Sequence, residues 1–301
     1  SLLYIYIYKL VNSKGFAYLK LDDCAFSGQL PWETDFPELR PGGRGSFRPK
    51  RLIKSHLVRR WFVKRVDLWS IEDEYSKELY ERRYMFLRGK IVTSFNGHTV
   101  DLGETPAVCP PEEKENIIST AGRLGTYQKA TEILLEGFRS VAEKSNYSLH
   151  LAGTVEPSFD DFARNFLSAN SHLRDRVFFH GQLGRRELFQ MYGRSKIFCL
   201  PSRYDSLPNV FPESMYYGNA VVTTNNVSLK YHIDKFRIGL TFEKDNPEEL
   251  AEALMTLIND ERLLRETGER AHAIADNFLN WDTIVMKLHG DINTLLKSRA
   301  G

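Results

Sequence analysis

Short apolar runs alternate with helical patterns through the last two thirds of the chain. The apolar runs predict strands near residues 117–121, 148–152, 176–180, 197–200, 220–224 and 239–242. Helical periodicity separates these runs, and three further amphipathic helices are predicted at 247–258, 260–276 and 282–297. Strands that alternate with helices in this way predict an α/β fold built on a parallel sheet.

The first third of the chain is less regular and contains a long loop rich in Pro and Gly over 23–45. Helices are predicted at 2–11, 49–63 and 74–84, and strands at 16–21, 66–70 and 90–95. Three prolines close together, at 106, 110 and 111, indicate a linker over 106–115. A chain of 301 residues is long enough for two α/β domains, and the two differently patterned parts of the sequence predict two domains.

The segment 197–224 reads as a strand, a loop, a helix and a second strand. Ligands of open α/β sheets bind at the carboxyl ends of the strands, where this loop lies. Two carboxylates, Asp205 and Glu213, enclose a stretch that contains Ser206, Leu207, Pro208, Asn209 and Val210, where the helix is predicted to start. Backbone amides at the start of a helix suit a phosphate, so the pattern suits a nucleotide sugar. The alternative is that Asp205 and Ser206 are ordinary capping residues.

A second segment, 116–138, again reads as a strand, a glycine turn and an amphipathic helix. Gly122 and Arg123 follow the strand, and Lys129 is predicted at the start of the helix. Two cations at the same sheet edge could neutralise a diphosphate without a metal ion. The alternative is that Arg123 and Lys129 are solvated loop charges.

Together these pieces form an ordered pattern. Gly122-Arg123-Leu124 precedes Lys129, and Ala152-Gly153, 177–181 and Pro201-Ser202 follow before the two acids of the 205–213 stretch. Over about residues 112–290 this order resembles the donor domain of family 4 glycosyltransferases. The resemblance implies a GT-B fold, with two Rossmann-like domains facing across a cleft.

On this resemblance the first domain is incomplete at its N-terminus, because a βα portion with a Gly-rich acceptor loop is not found. The implied limits are a partial acceptor-side domain over 1–105, a linker over 106–115 and a nucleotide-sugar donor domain over 116–280. The last helix, 281–301, is expected to pack back toward the first domain.

The resemblance also implies roles for individual residues. Arg123 and Lys129 would contact the donor diphosphate, and Glu213 would hold the ribose. Asp205 would lie near the donor sugar, where the family usually has Glu. Arg123, Lys129 and Asp205 are the expected catalytic residues. The expected nucleotide-sugar-binding residues are Gly122, Leu183, Ser206, Leu207, Asn209, Val210 and Glu213. Leu183 would pack against the base, although plain packing between loop and helix is an alternative.

The expected activity is glycosyl transfer from a nucleoside-diphosphate sugar to a saccharide or lipid-linked acceptor, in the synthesis of surface polysaccharide or glycoconjugate. The sequence contains no Asp-x-Asp motif, so we expect transfer without a metal cofactor, with Arg123 and Lys129 stabilising the leaving group. A UDP-sugar is the expected donor and a GDP-sugar the alternative. The resemblance implies retention of configuration. Two alternatives remain: a module that binds a nucleotide sugar without turnover, and a nucleotide-sugar epimerase. Paired carboxylates are also typical of glycosidases, but that function is disfavoured.

The net charge of the chain is small, but its basic residues are concentrated in one segment. The net charge is only +2, which gives no case for nucleic acid. Residues 38–65 nevertheless contain ten Lys or Arg and one acid, Glu38. The amphipathic stretch 48–65 could contact an anionic membrane or a lipid-linked acceptor, or pack on its own domain. Three widely spaced cysteines and no signal peptide pattern indicate a cytoplasmic protein, with peripheral membrane contact as an option.

Three histidines lie on or next to predicted strands. His150 alternates with Leu149 and Leu151 on a strand and His180 ends an apolar strand, and both are expected to be structural. His98 follows Asn96-Gly97 and is expected to be an exposed turn residue rather than a substrate ligand.

Overall fold

A computed structural model describes residues 8, 11–12, 15–21, 65–99, 106–205, 207–225 and 227–300. The chain divides into two compact units, one formed by 1–95 with 287–301 and the other by 96–286. The predicted domain limits at 105, 115 and 280 remain predictions. The predicted helix at 49–63 and the membrane segment 48–65 lie outside the described residues, apart from Arg65, as does most of the predicted helix at 2–11.

The first unit contains a parallel sheet of three strands in the order β1-β2-β3. These are β1 (Tyr18–Leu21), β2 (Leu68–Ile71) and β3 (Ile91–Thr93), and α1 (Glu74–Arg83) connects the last two. Asp73 caps α1, since its carboxylate accepts hydrogen bonds from the backbone N–H and the hydroxyl of Ser76. All four residues of β2 are buried, as expected of a strand with neighbours on both sides.

The second unit contains six parallel strands, each crossing to the next through a helix. The strands are β4 (Glu115–Ala121), β5 (Ser148–Ala152), β6 (Val177–Phe179), β7 (Ser195–Leu200), β8 (Ala220–Thr224) and β9 (Gly239–Phe242). The helices between them are α2 (Thr131–Lys144), α3 (Pro157–Ala169), α4 (Arg185–Arg194), α5 (Val210–Tyr216) and α6 (Val227–Phe236). Three helices follow, α7 (Pro247–Asn259), α8 (Glu261–Phe278) and α9 (Trp281–Ala300).

The core of this sheet forms where the sequence has its longest apolar runs. All residues of β8 are buried, and Cys199 of β7 is fully buried, as a core cysteine should be. On α2 the predicted apolar stripe packs inward, with Leu134 and Phe138 fully buried and Ile133 partly buried against the same cluster. The α/β fold with parallel sheets is therefore confirmed. Within the described part of the chain, no helix is both long and apolar enough to cross a membrane.

The strand order β6-β5-β4-β7-β8-β9 contains one reversal. The chain runs outward from β4 to β6 and then returns to the opposite side of β4 as β7. The helices that follow β4 and β7 therefore lie on opposite faces of the sheet, and a crevice opens between the two loops that lead into them. Both segments that carry the predicted site end at this crevice.

Candidate functional site

The loops after β4 and β7 are joined by an ion pair between two predicted site residues. The Lys129 ammonium lies 2.7 Å from Asp205 Oδ2, and the two side chains retain only 13% and 10% of their exposure. These residues are 76 positions apart in sequence, so only the pairing of β4 with β7 brings them together. Asp205 is therefore not a simple capping residue of α5, because its carboxylate reaches across to the other loop.

Gly122 and Gly153 let the ends of β4 and β5 approach each other closely. A Cβ at Gly153 would lie 1.8 Å from the carbonyl oxygen of Gly122, and the backbone of Gly153 has a φ of 130°. A Cβ at Gly122 would lie 3.3 Å from Cε of Lys129. The missing side chain at Gly122 thus leaves room for Lys129 to extend along the strand end toward Asp205.

Gln128, which the sequence analysis did not single out, links the predicted residues to one another. Its amide nitrogen donates to Asp205 Oδ1 at 3.1 Å, and its amide oxygen accepts from the Arg123 guanidinium at 2.7 Å. The structure therefore places Arg123, Lys129 and Asp205 in one hydrogen-bonded group. Arg123 is exposed and makes no ion pair with another described residue, so its charge faces solvent unneutralised.

Arg203, whose role no sequence pattern predicted either, connects three loops at this edge of the sheet. Its guanidinium donates to Glu132 at 2.7 Å and to Asp245 at 2.5 Å, and it lies 4.4 Å from the ring centroid of Tyr127. Two carboxylates thus neutralise Arg203, and its role is to hold the loops. A basic residue directly after a strand is too common a feature to have predicted this.

Glu213 lies in the first turn of α5 and is half-buried. Burial raises its pKa to about 7, and the nearby positive charge of Arg185 opposes that rise. No hydrogen bond from a described residue reaches the Glu213 carboxylate. In this respect Glu213 differs from Asp205. The charged form of a half-buried carboxylate with no described hydrogen-bond donor is stabilised by a ligand whose hydroxyl groups donate to it.

The other predicted site residues occupy different positions around the loops. Leu207 is buried, and its carbonyl oxygen accepts a hydrogen bond from Asn96 at 2.7 Å. Asn209 is exposed at the N-cap of α5, and Val210 is the first residue of that helix, as predicted. Leu183 is half-buried in the loop after β6, two strands away from β4, and no described contact joins it to the Lys129 group. Ser206 lies outside the described residues.

Two expectations about local structure were wrong. Lys129 does not open a helix, because Ala130 takes a left-handed conformation (φ 46°) and α2 begins only at Thr131. His98 is not an exposed turn residue but is buried, with Nε2 lying 3.0 Å from the carbonyl oxygen of Ala275. Burial lowers the pKa of His98, which favours the neutral ring. His150 and His180 contact each other at 3.0 Å, and burial lowers the pKa of His150 to about 4.

The crevice therefore offers one exposed cation and one partly shielded ion pair, and a carboxyl with a raised pKa, Glu213, lies in the first turn of the helix that follows. Two positive groups beside the start of a helix can bind a dianion. Among the described residues, no cluster of three or more His, Cys, Asp or Glu is placed to hold a metal ion. The arrangement suits a ligand that combines a diphosphate with hydroxyl groups.

Comparisons with known proteins found a matching family model and several related glycosyltransferases. The family model described as "Glycosyl transferases group 1" matches residues 104–274, more than half of the chain. The capsular polysaccharide biosynthesis glycosyltransferase CapM of Staphylococcus aureus is 25% identical over 194 residues, which cover 62% of this chain and 48% of that protein. The chain spans about half the length of the first curated relatives it matches.

Two solved structures resemble the chain over nearly its whole length. Sucrose-phosphate synthase from Thermosynechococcus elongatus has a TM-score of 0.68 and 19% identity, covering 99% of this chain and 72% of that one. Anabaena HepE in complex with UDP has a TM-score of 0.70 and 16% identity, covering 97% and 76%. At these identities the likeness shows the fold alone, which is the α/β fold of GT-B glycosyltransferases.

Proposed function

Because this chain belongs to the glycosyl transferases group 1 family, we propose that it moves a sugar from a nucleoside-diphosphate sugar to a saccharide or lipid-linked acceptor. Within that class we propose the family 4 type, which implies that the sugar retains its anomeric configuration. The loop residues at the β4/β7 crevice would form the donor site.

The observation that carries this proposal is the contact between Lys129 and Asp205, linked through Gln128 to Arg123. Breaking the bond between the sugar and the diphosphate builds negative charge on the leaving group. Arg123 and Lys129 lie beside the crevice where that charge would develop, and they supply positive charge without a metal ion. One preorganised donor of this kind typically contributes about 3–4 kcal/mol to transition-state stabilisation.

The remaining residues divide between the two ends of the donor. Glu213, with its raised pKa and no described hydrogen-bond partner, would accept from the ribose hydroxyls. Asp205 would lie nearest the transferred sugar, and the amides of Asn209 and Val210 would face the diphosphate. Gly122 keeps the space beside Lys129 open, Leu207 anchors the loop through Asn96, and Leu183 would pack against the base.

The identity of the donor and the pathway rest on the relatives. HepE was solved with UDP, and CapM is named for capsular polysaccharide synthesis. These names support a UDP-sugar over a GDP-sugar and a place in surface polysaccharide synthesis. Contact of the basic segment 48–65 with an anionic membrane or a lipid-linked acceptor is proposed from the sequence alone.

The test is calorimetric titration of the whole chain with UDP and GDP, with and without EDTA, followed by product analysis with a UDP-sugar and an acceptor panel. We expect UDP to bind equally in EDTA and Arg123→Ala to weaken that binding at least tenfold. Arg174→Ala is the matched control, since Arg174 is exposed and lies just before β6, at the opposite end of the strands. If neither nucleotide binds, or if the two variants behave alike, the proposed donor site is wrong.

A further inference from the structure

We propose that Gln128 is a positioning residue of the donor site, whose neutral amide holds Asp205 on one side and Arg123 on the other. This inference rests on the proposed function and assigns a role to a residue that the donor motifs do not include. Asp205 and Arg123 are both expected to act on the donor, so a residue that fixes the two together sets the geometry of transfer.

Four hydrogen bonds hold Gln128 in place. The amide nitrogen donates to Asp205 Oδ1 at 3.1 Å and to the carbonyl oxygen of Tyr204 at 3.2 Å. The amide oxygen accepts from Arg123 at 2.7 Å, and the backbone carbonyl oxygen accepts from the N–H of Arg203 at 2.8 Å. The residue thus connects the loop after β4 with the loop after β7 through both its side chain and its backbone.

The amide group matches its two neighbours in only one orientation. Its donor side faces a carboxylate, and its acceptor side faces a guanidinium. Turning the amide over would set its oxygen against Asp205 and its NH₂ against Arg123, and both contacts would become repulsive. A charged residue at this position would satisfy one neighbour and repel the other.

This arrangement has a consequence for Lys129. Both oxygens of Asp205 have donors, since Lys129 lies at Oδ2 and Gln128 at Oδ1. When Lys129 is shared with a diphosphate, Gln128 keeps Asp205 hydrogen-bonded and in place. On the other side Gln128 restrains Arg123 without neutralising it, so the full positive charge of Arg123 remains for the diphosphate.

The experiment compares Gln128→Glu and Gln128→Met with wild type in the whole chain. Gln128→Glu sets a carboxylate against Asp205 and pairs with Arg123, so at pH 7.5 we expect UDP binding to weaken at least tenfold, equal to about 1.4 kcal/mol. Gln128→Met removes all three side-chain hydrogen bonds without adding charge. We expect it to weaken UDP binding less than Gln128→Glu does and to lower kcat for a UDP-sugar about tenfold.

A pH series separates positioning from a purely structural role. In Gln128→Glu the two neighbouring carboxylates can share a proton at pH 5.5, so the ratio of its UDP affinity to that of wild type should recover toward one as the pH falls. Using the ratio cancels ionisation of UDP and of groups common to both proteins. Gln190→Glu is the matched control, because Gln190 is exposed on α4 and receives the same change in charge.

The outcomes distinguish this inference from the function on which it rests. UDP binding by wild type together with wild-type affinity and kcat in both Gln128 variants would overturn the role of Gln128 and leave the proposed function standing. Equal losses in Gln128→Glu and Gln190→Glu would overturn it as well. A wild-type chain that binds neither UDP nor GDP would overturn the proposed function and this inference with it.

Discussion

The Glu213 carboxyl should lower the stability of the folded chain as the pH rises, and its replacement by Gln should remove that contribution. Burial raises the pKa of this carboxyl from 4.5 to about 7. This carboxyl therefore binds more protons in the folded state than in the unfolded state between these two values. The contribution of Glu213 to stability falls as the pH rises through this window, because the buried carboxyl has to ionise without a described partner.

The size of the effect follows from the two pKa values. Between pH 5 and pH 8.5 the linkage relation gives a loss of about 2–3 kcal/mol for a group that titrates at 4.5 when unfolded and about 7 when folded. Glu213→Gln removes the charge while keeping the shape of the side chain. The variant should gain about 2–3 kcal/mol over wild type at pH 8.5, relative to the difference between them at pH 5.

The measurement is urea unfolding followed by circular dichroism at pH 5, 7 and 8.5, for wild type and Glu213→Gln. Glu187→Gln is the control, since Glu187 is exposed in the first turn of α4. The same Glu213 variant should bind UDP more weakly, because an amide accepts ribose hydroxyls less well than a carboxylate. A gain in stability joined to a loss of affinity is typical of a functional group held in an unfavourable environment. Parallel stability curves for wild type and Glu213→Gln would refute the reasoning.

Two further predictions concern the Lys129 contact and the strand ends. Lys129→Met should lower kcat for a UDP-sugar about 10²–10³-fold. By breaking the ion pair with Asp205 it should also reduce the free energy of unfolding by about 3 kcal/mol. Steady-state kinetics and urea unfolding test this, and unchanged kcat would contradict it. Gly153→Ala should cost about 3 kcal/mol or more, because its Cβ would lie 1.8 Å from the Gly122 carbonyl oxygen. Gly181→Ala is the control at about 1–2 kcal/mol, since no described atom lies within 4 Å of its Cβ, and equal melting temperatures for the two variants would contradict the close approach.

Local patterns were sufficient to predict most elements of the second unit. The strands at 148–152, 220–224 and 239–242 and the start of α5 at Val210 match the prediction, because each is a short apolar run or a helix start with clear flanking turns. The first turn of α2 was misplaced for a local reason. Ala130 adopts a left-handed conformation that alanine rarely takes, and nothing in its neighbours signals it.

Contacts between distant segments were beyond any local pattern. His98 is buried because 279–281 pairs with it, through hydrogen bonds from His98 N to Leu279 O and from Trp281 N to His98 O. Likewise, the place of Gln128 depends on the order of β4 and β7 in the sheet. An amide between Tyr127 and Lys129 is unremarkable in sequence, and it gains meaning only once Asp205 lies 3.1 Å away.

The charges of the crevice explain why its two cations differ. Asp205 is only 7% exposed, and a carboxylate so far from water needs a cation and a second donor to be tolerated, which Lys129 and Gln128 provide. That requirement holds Lys129 in position before any ligand arrives, so its contribution needs no rearrangement during reaction. Arg123 makes no ion pair with another residue of the described chain, so in the proposed site its charge would remain for the diphosphate, while Gln128 restricts its side-chain freedom. In the proposed site Lys129 would thus be the cation held in place by an ion pair, and Arg123 the cation whose charge stays available for the donor.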